Sequence, residues 1–523
     1  MPIFQFINAE NLSLMKKKQI VLLNLLTAII FALLFYKNYV GLNLLLFEIL
    51  VVPIMIYLNK PVKFNKLNIS VLAGLGIYAI MVLILNTSWS IFVNIITLFT
   101  LSGVLAYQGF RSYIHAFAES FFRLFSSQIS ILLDWGEPVI INTQKDNKKN
   151  KFGINKVVYL IIIPFSVLIL FIVLYTSASS KFYAQFEEIF SAFQRFLESI
   201  YFLFIIFIIF GSIVANALYM KTKPVGLHNL DLNSKDNLFR IRKRNYINFK
   251  PTGLKMQYLS GVVLLASLNF LIMYFNILDF IYLWFGFEWD GTFLKEFVHE
   301  GTWVLVFSIF LSAGIALFFF RRNLNFYSKN KWLKRLTILW IAQNMIMLVS
   351  VVLRNYWYIH YFGLAYKRIA VLFFLLLTLV GLITIIIKIT NIKSSYYLWK
   401  VNGFALFTVL VLTTCVNWDL HIAKYNFKHY NRSLIDFRFM AKLNNSALPY
   451  TIKTLEELEE INKIQEEAMP FELSEHRSYL WDIYTYQVEV LEKRHRFVER
   501  YENMNWLEWN LADYQTYQKL QNM

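Results

Sequence analysis

The stretch Cys415-Val416-Asn417-Trp418-Asp419-Leu420-His421-Ile422-Ala423-Lys424-Tyr425-Asn426 divides the chain into two kinds of material. Before it, apolar runs recur that are long enough to cross a hydrocarbon core of about 30 Å, each needing roughly 20 residues. After it, charged and polar residues dominate. The runs are continuous rather than alternating, which excludes a β-barrel and leaves helices as the only way to satisfy the backbone in lipid. The expected fold is therefore all-α: a polytopic transmembrane bundle over 1–416, followed by a soluble helical tail over 417–523.

Composition agrees. Hydrophobic residues make up 57%, charged residues 16%, and the mean hydropathy of +0.48 is not that of a soluble enzyme. About eleven spans are expected, over 19–36, 40–58, 69–86, 89–108, 157–176, 199–219, 257–283, 302–320, 334–353, 369–389 and 399–416. The formal charge of +18 is unevenly placed: residues 1–416 hold 38 Lys+Arg against 16 Asp+Glu, and the tail holds 13 against 17. With the N-terminus inside, the cytoplasmic segments collect 31 of those cations and the external loops seven. The positive-inside rule then places the N-terminus in the cytoplasm and the acidic tail outside. Lys16-Lys17-Lys18 leads into an apolar run without a cleavage site, so this segment reads as a retained first helix.

Two stretches are too amphipathic for spans. Over 110–134, Arg111, His115, Glu119 and Arg123 recur every four residues beside Phe117, Phe121, Phe122 and Leu124. Over 181–198, Phe182, Phe186, Ile189, Phe190, Phe193 and Leu197 oppose Lys181, Gln185, Glu188 and Arg195. Both patterns suit helices lying in the interface. The basic segment Arg240-Ile241-Arg242-Lys243-Arg244 is explained by topology and anionic lipid, and no nucleic-acid reader surrounds it. In the tail, Thr454-Leu455-Glu456-Glu457 has capping-box spacing and opens a helix to about Ala468. A longer helix is expected from near Ser474, and Trp506, Trp509, Leu511 and Tyr514 mark a last aromatic one.

The chemistry-bearing residues gather on the external side of this topology: His299, Glu300, Arg354, Tyr361, Arg368, Asn417, Asp419 and Asn426. Arg354 or Arg368 is expected to pair with Asp419 or Glu300, because a lone charge at the membrane boundary is costly. The bland alternatives are an aromatic belt around Tyr361, snorkelling arginines, and Asn417 and Asp419 as caps that dock the tail. His299 beside Glu300 is a weak acid–base pair, and no catalytic residue is assigned. Within the spans, Glu48 in the second, near Pro53, is the sharper intramembrane carboxylate, with Asp279 near the outer end of the seventh. The single Cys415, set in an apolar run, reads as a buried inert thiol. No phosphate-cradling loop, metal-ligand helix or nucleophile elbow is present, so neither cofactor nor metal is expected.

The series Arg354, Tyr361-Phe362-Gly363-Leu364, Arg368, then Asn417-x-Asp419-x-x-Ile422-Ala423-Lys424-Tyr425-Asn426, resembles bacterial integral-membrane proteins of the domain-of-unknown-function group 4153/4173. Asp436, Leu443 to Pro449, Val298-His299-Glu300-Gly301 and Trp506-x-x-Trp509-Asn510-Leu511 are similar to further segments of that family. Trp418 stands where the family has Pro, and Lys424 where it has Arg. The resemblance runs from about residue 255 onward and implies a multi-pass architecture in the bacterial cell membrane, without a reaction. Three functional classes follow as expectations. The first is a non-enzymatic sensor, scaffold or assembly factor with an envelope protein partner. The second is a permease with a polar path through Glu48 and the external Arg/Asp cluster. The third is an enzyme acting on lipid-linked or glycan substrates at the outer face.

Overall fold

The computed structural model describes residues 3–62, 64–135, 163–198, 200–220, 226–240, 253–285, 294–320, 323–468 and 482–523. Among the described residues every regular element is helical, apart from one isolated bridge between Asn237 and Lys393. Seven helices are long and apolar enough to cross a membrane, and four shorter apolar helices lie at the other expected positions: Gln19–Phe35, Leu42–Leu58, Ser166–Ala178 and Trp303–Phe319.

The first half comprises α1 (Ile3–Phe35), α2 (Leu42–Leu58), α3 (Lys66–Leu85), α4 (Ser88–Ala106), α5 (Tyr113–Trp135), α6 (Ile163–Ala178), α7 (Ser180–Glu198), α8 (Ile200–Tyr219) and the short α9 (Leu227–Asn233). Its core joins Phe47, Met55, Val71, Leu101, Phe110 and Leu218. Helices α1 and α8 are antiparallel: Asn24 bonds Ser212 and Asn216, whereas Tyr36 packs on Phe204 and Phe207. Gly211 permits this approach, since a Cβ there would lie 2.8 Å from the Ala28 carbonyl oxygen.

The second half comprises α10 (Leu254–Asp279, continued by a π-helical turn Phe280–Phe285), α11 (Leu294–Phe319), α12 (Lys331–Phe362), α13 (Tyr366–Thr390) and α14 (Ser395–Thr414). Helices α10 and α12 are joined by a polar ladder. Asn269 donates to the Leu336 carbonyl at 3.0 Å, Gln343 to Asn269 at 2.7 Å, Asn276 to the Gln343 carbonyl at 3.1 Å, and Trp284 to Ser350 at 3.1 Å. Both partners of the two backbone rungs advance by seven residues, which makes the helices parallel. The chain therefore returns through α11 between them. Helix α14 packs on α13 and also on α3, α4 and α5, and so links the two halves.

The tail comprises α15 (Trp418–Lys428), α16 (Phe437–Ala441), α17 (Leu448–Thr451), α18 (Leu455–Ala468), α19 (Ile483–Glu502) and α20 (Leu511–Gln521). Its core of Ile422, Ile435, Phe437, Leu448, Leu458, Tyr486, Val490 and Phe497 includes Ile369 of α13. It rests on one end of the bundle: Leu42 N–H donates to the Trp509 carbonyl at 3.0 Å, and Asn505 donates to Asn38 at 3.3 Å. At the opposite end, Lys388 is buried and donates to the carbonyls of Phe320 and Lys393, at 3.3 and 3.0 Å, satisfying helix-terminal acceptors.

One expectation changes. Cys415 is exposed rather than buried. A continuous apolar run does not reveal which face of a helix meets protein. The amphipathic helix expected over 110–134 is α5, and its polar face turns onto the bundle. Glu119 and Arg123 are buried while Phe117, Phe121, Phe122 and Phe125 point outward. Arg123 donates to the Met220 and Leu218 carbonyls and to Ser102, serving unpaired acceptors at the end of α8.

Candidate functional site

The junction between α14 and α15 is where the sequence motifs converge. Asn417 is the N-cap of α15, accepting from Leu420 N–H at 3.1 Å and from the Ser446 hydroxyl at 3.3 Å. Asp419, in the first turn, accepts on one oxygen from the Asn444 N–H at 2.7 Å and from the Tyr366 hydroxyl. The anionic side chain thereby meets the positive end of α15 and binds the tail to the start of α13. Asn426, two turns further along the same face of α15, accepts from Leu364 N–H at 2.6 Å and donates to the Leu364 carbonyl at 3.0 Å. A donor and an acceptor from one backbone residue admit only one orientation of the amide. Gly363 makes room for it, with φ of 74° and a Cβ position 2.6 Å from Asn426 Oδ1.

Arg368 supports the same loop from below. Its guanidinium donates to the carbonyls of Phe362 and Gly363 and lies 4.3 Å from the centre of the Tyr358 ring. Tyr361 contributes its carbonyl, which accepts from Leu434 N–H at 2.8 Å. Lys493 of α19 reaches the Ala441 and Leu443 carbonyls, and burial pushes its ammonium below the usual lysine range while nearby Asp419 opposes the shift. These groups clamp backbone segments together. None is arranged as a nucleophile beside a base.

Among the described residues neither Arg354 nor Arg368 pairs with Asp419, and the Glu300 alternative lies outside them. Arg354 pairs with Asp279 at 2.8 Å, both side chains nearly buried, between α12 and the end of α10. Asp419 instead serves hydroxyl and backbone donors. The Arg354–Asp279 pair was hidden because its members lie 75 positions apart on two continuous apolar runs. Tyr366 was missed as well, although a Tyr at the first residue of a span is a ready donor to a boundary carboxylate. The side chains of His299 and Glu300 lie outside the described residues. Glu48 lies apart from the junction, buried in α2 with its carboxyl beside the Asn94 side chain of α4, and its Oε1 makes no well-formed hydrogen bond.

A second polar centre, at the opposite end, carried only a weak sequence signal in α5. Asp231 of α9, fully buried, accepts from Arg111 N–H at 2.7 Å and from the Tyr396 hydroxyl at 3.0 Å, with His115 3.7 Å away. Arg111 wraps the α9 carbonyls, reaching that of Ser234 at 2.6 Å. The centre fastens α9 to α5 and α14.

A family model described as a domain of unknown function, DUF4153, matches residues 70–454. The chain belongs to the DUF4153 family. No curated protein and no solved structure matches it. The DUF4153 match begins within α3 and ends at Thr454, so it takes in the whole α12–α13–α15 junction and the second polar centre. It leaves out Glu48 and the last three tail helices. Where the resemblance placed a Pro, Trp418 of this DUF4153 protein donates to the Thr413 carbonyl at 2.8 Å and packs edge-on against Phe373. This side-chain hydrogen bond spans the α14–α15 turn.

Proposed function

We propose that this protein is a non-enzymatic scaffold or assembly factor of the bacterial cytoplasmic membrane. In this reading the N-terminus lies inside, and the tail is held outside as a fixed platform for an envelope protein partner. The observation that carries the reading is the docking of α15 by Asp419 and Asn426 onto the α12–α13 loop. It is supported by the contacts of 505–509 with the α1–α2 loop. Groups that hold backbone to backbone suit a platform. The distribution of basic residues supports the orientation. The exposed face of α19 presents Tyr484, Val488 and Leu491 at helical spacing, a surface suited to a protein partner.

The exposed Cys415 provides the test. Intact cells are treated with a membrane-impermeant maleimide. Labelling of Cys415 supports the external tail, and labelling only in inverted vesicles overturns it. Photocrosslinkers at positions 484, 488 and 491 are expected to trap one recurring envelope protein, and absence of any adduct counts against the platform.

The permease reading draws on a different observation, the buried Glu48 with its unpaired oxygen. Glu48→Cys in a Cys415→Ser background separates the two. Labelling from the tail side indicates a water path to Glu48 and favours transport, whereas silence favours the scaffold.

A further inference from the structure

The face of α15 opposite its docked side has no assigned role. Asp419, Ile422, Ala423 and Asn426 turn inward, and the other side opens as a groove of about 440 Å³ lined by Trp418, His421, Lys424, Tyr425, Lys428 and His429. His421, Lys424 and Lys428 are exposed. The chain leaves its last apolar helix at Thr414, so this groove lies at the level where the bundle meets the membrane surface. Tryptophan and tyrosine are enriched at that level because their rings are amphipathic.

Charge is concentrated here against the trend of the tail. Residues 417–442 hold five Lys+Arg and two Asp+Glu, whereas 443–523 hold eight and fifteen. Both acids of the first segment are used elsewhere, Asp419 on Tyr366 and Asn444, and Asp436 as the N-cap of α16. Among the described residues no carboxylate lies within ion-pairing distance of Lys424, Lys428 or Arg432. Lys424 and Lys519 instead share the Tyr450 ring, at 4.7 and 5.5 Å from its centre. His360, at the end of α12, lies within electrostatic reach of both His429 and Arg432. Like charges assembled without a counter-ion, beside aromatic rings at a membrane surface, complement an anionic headgroup.

We propose that the α15 groove binds the phosphate headgroup of an anionic phospholipid in the leaflet at the tail end of the bundle. Lys424 and Lys428 contact the phosphate, Arg432 adds field at the rim, and Trp418 and Tyr425 lie beside the glycerol and upper acyl region. The assignment does not depend on the scaffold reading.

The test uses the full-length protein in neutral detergent with equimolar phosphatidylglycerol and phosphatidylcholine, and counts retained lipids by native mass spectrometry. Wild type is expected to keep phosphatidylglycerol preferentially. Lys424→Gln/Lys428→Gln/Arg432→Gln is expected to lower that retention roughly a hundredfold, whereas Lys463→Gln, on an exposed face of α18, leaves it unchanged. The charge-preserving Lys424→Arg/Lys428→Arg/Arg432→Lys retains it. Should the triple glutamine variant not fold, Lys428→Gln alone is expected to lower retention severalfold. Wild-type retention by the glutamine variants, or equal retention of the two lipids, overturns the proposal. So does displacement of the lipid by inorganic phosphate at equal concentration, which reassigns the groove to a soluble anion.

Discussion

Asn426 and Leu364 are joined by a two-point amide contact, 2.6 and 3.0 Å, between a tail side chain and a loop backbone. Replacing Asn426 by Ala leaves a backbone donor and acceptor unpaired in a half-buried setting. The expected loss is about 1–3 kcal/mol. Gly363→Ala is expected to do similar damage by another route, since its φ of 74° and the 2.6 Å approach both disfavour a Cβ. Thermal unfolding in detergent, together with protease release of the tail, checks both. Unchanged protease resistance in Asn426→Ala would show that the tail is held by packing alone.

The Arg354–Asp279 pair predicts a strongly non-additive cycle. Asp279→Leu takes this counter-ion from Arg354, and Arg354→Met leaves the buried Asp279 without it, so each alone is expected to cost about 3–5 kcal/mol. The double replacement by apolar residues is expected to be near neutral. A double mutant as unstable as the sum of the singles would mean that the two groups act independently.

Glu48 leads to the opposite expectation. Asn94 is the side chain beside its carboxyl, Oε1 makes no well-formed hydrogen bond, and burial outweighs that contact, so Glu48→Met removes a desolvation penalty larger than the interaction it gives up. Stability is expected to hold or to rise, by up to about 1–3 kcal/mol. Thermal unfolding of the variant decides this, and a marked loss would place an unseen partner on the carboxyl group.

How far these contacts were legible depends on their range. Spans such as Lys66–Leu85 and Tyr366–Thr390 were plain because continuous apolar runs leave a helix as the only option. The Asn417 and Thr454 caps were legible because capping is a three-residue affair. Sidedness was not. A span that is apolar all round does not state which face meets protein, so Cys415 was misjudged and α5 turns its charged face inward. The same loss hid Asp279 as the partner of Arg354. The Tyr366–Asp419 contact depends on a crossing between two helices 53 positions apart, which local pattern does not encode.

The Thr454 cap yields a prediction about pH. Thr454 Oγ1 accepts from Glu457 N–H at 3.2 Å, and Glu457 accepts from Thr454 N–H at 2.9 Å and from Lys453 at 3.1 Å. Burial pushes the Glu457 carboxyl up, but the Thr454 N–H and the Lys453 ammonium together outweigh it and hold it below its ordinary value of 4.5. A depressed carboxyl stabilises the fold above its unfolded value, and that contribution is lost as pH falls through the folded one. The tail is therefore expected to loosen at α18 below about pH 4.5, with Glu457→Gln flattening that part of the profile. Thr454→Ala is expected to cost about 0.5–2 kcal/mol at neutral pH. Hydrogen exchange of the first turn of α18 across this range reads both effects. A Glu457→Gln profile that still falls with the wild-type midpoint would assign the acid sensitivity to another carboxyl group.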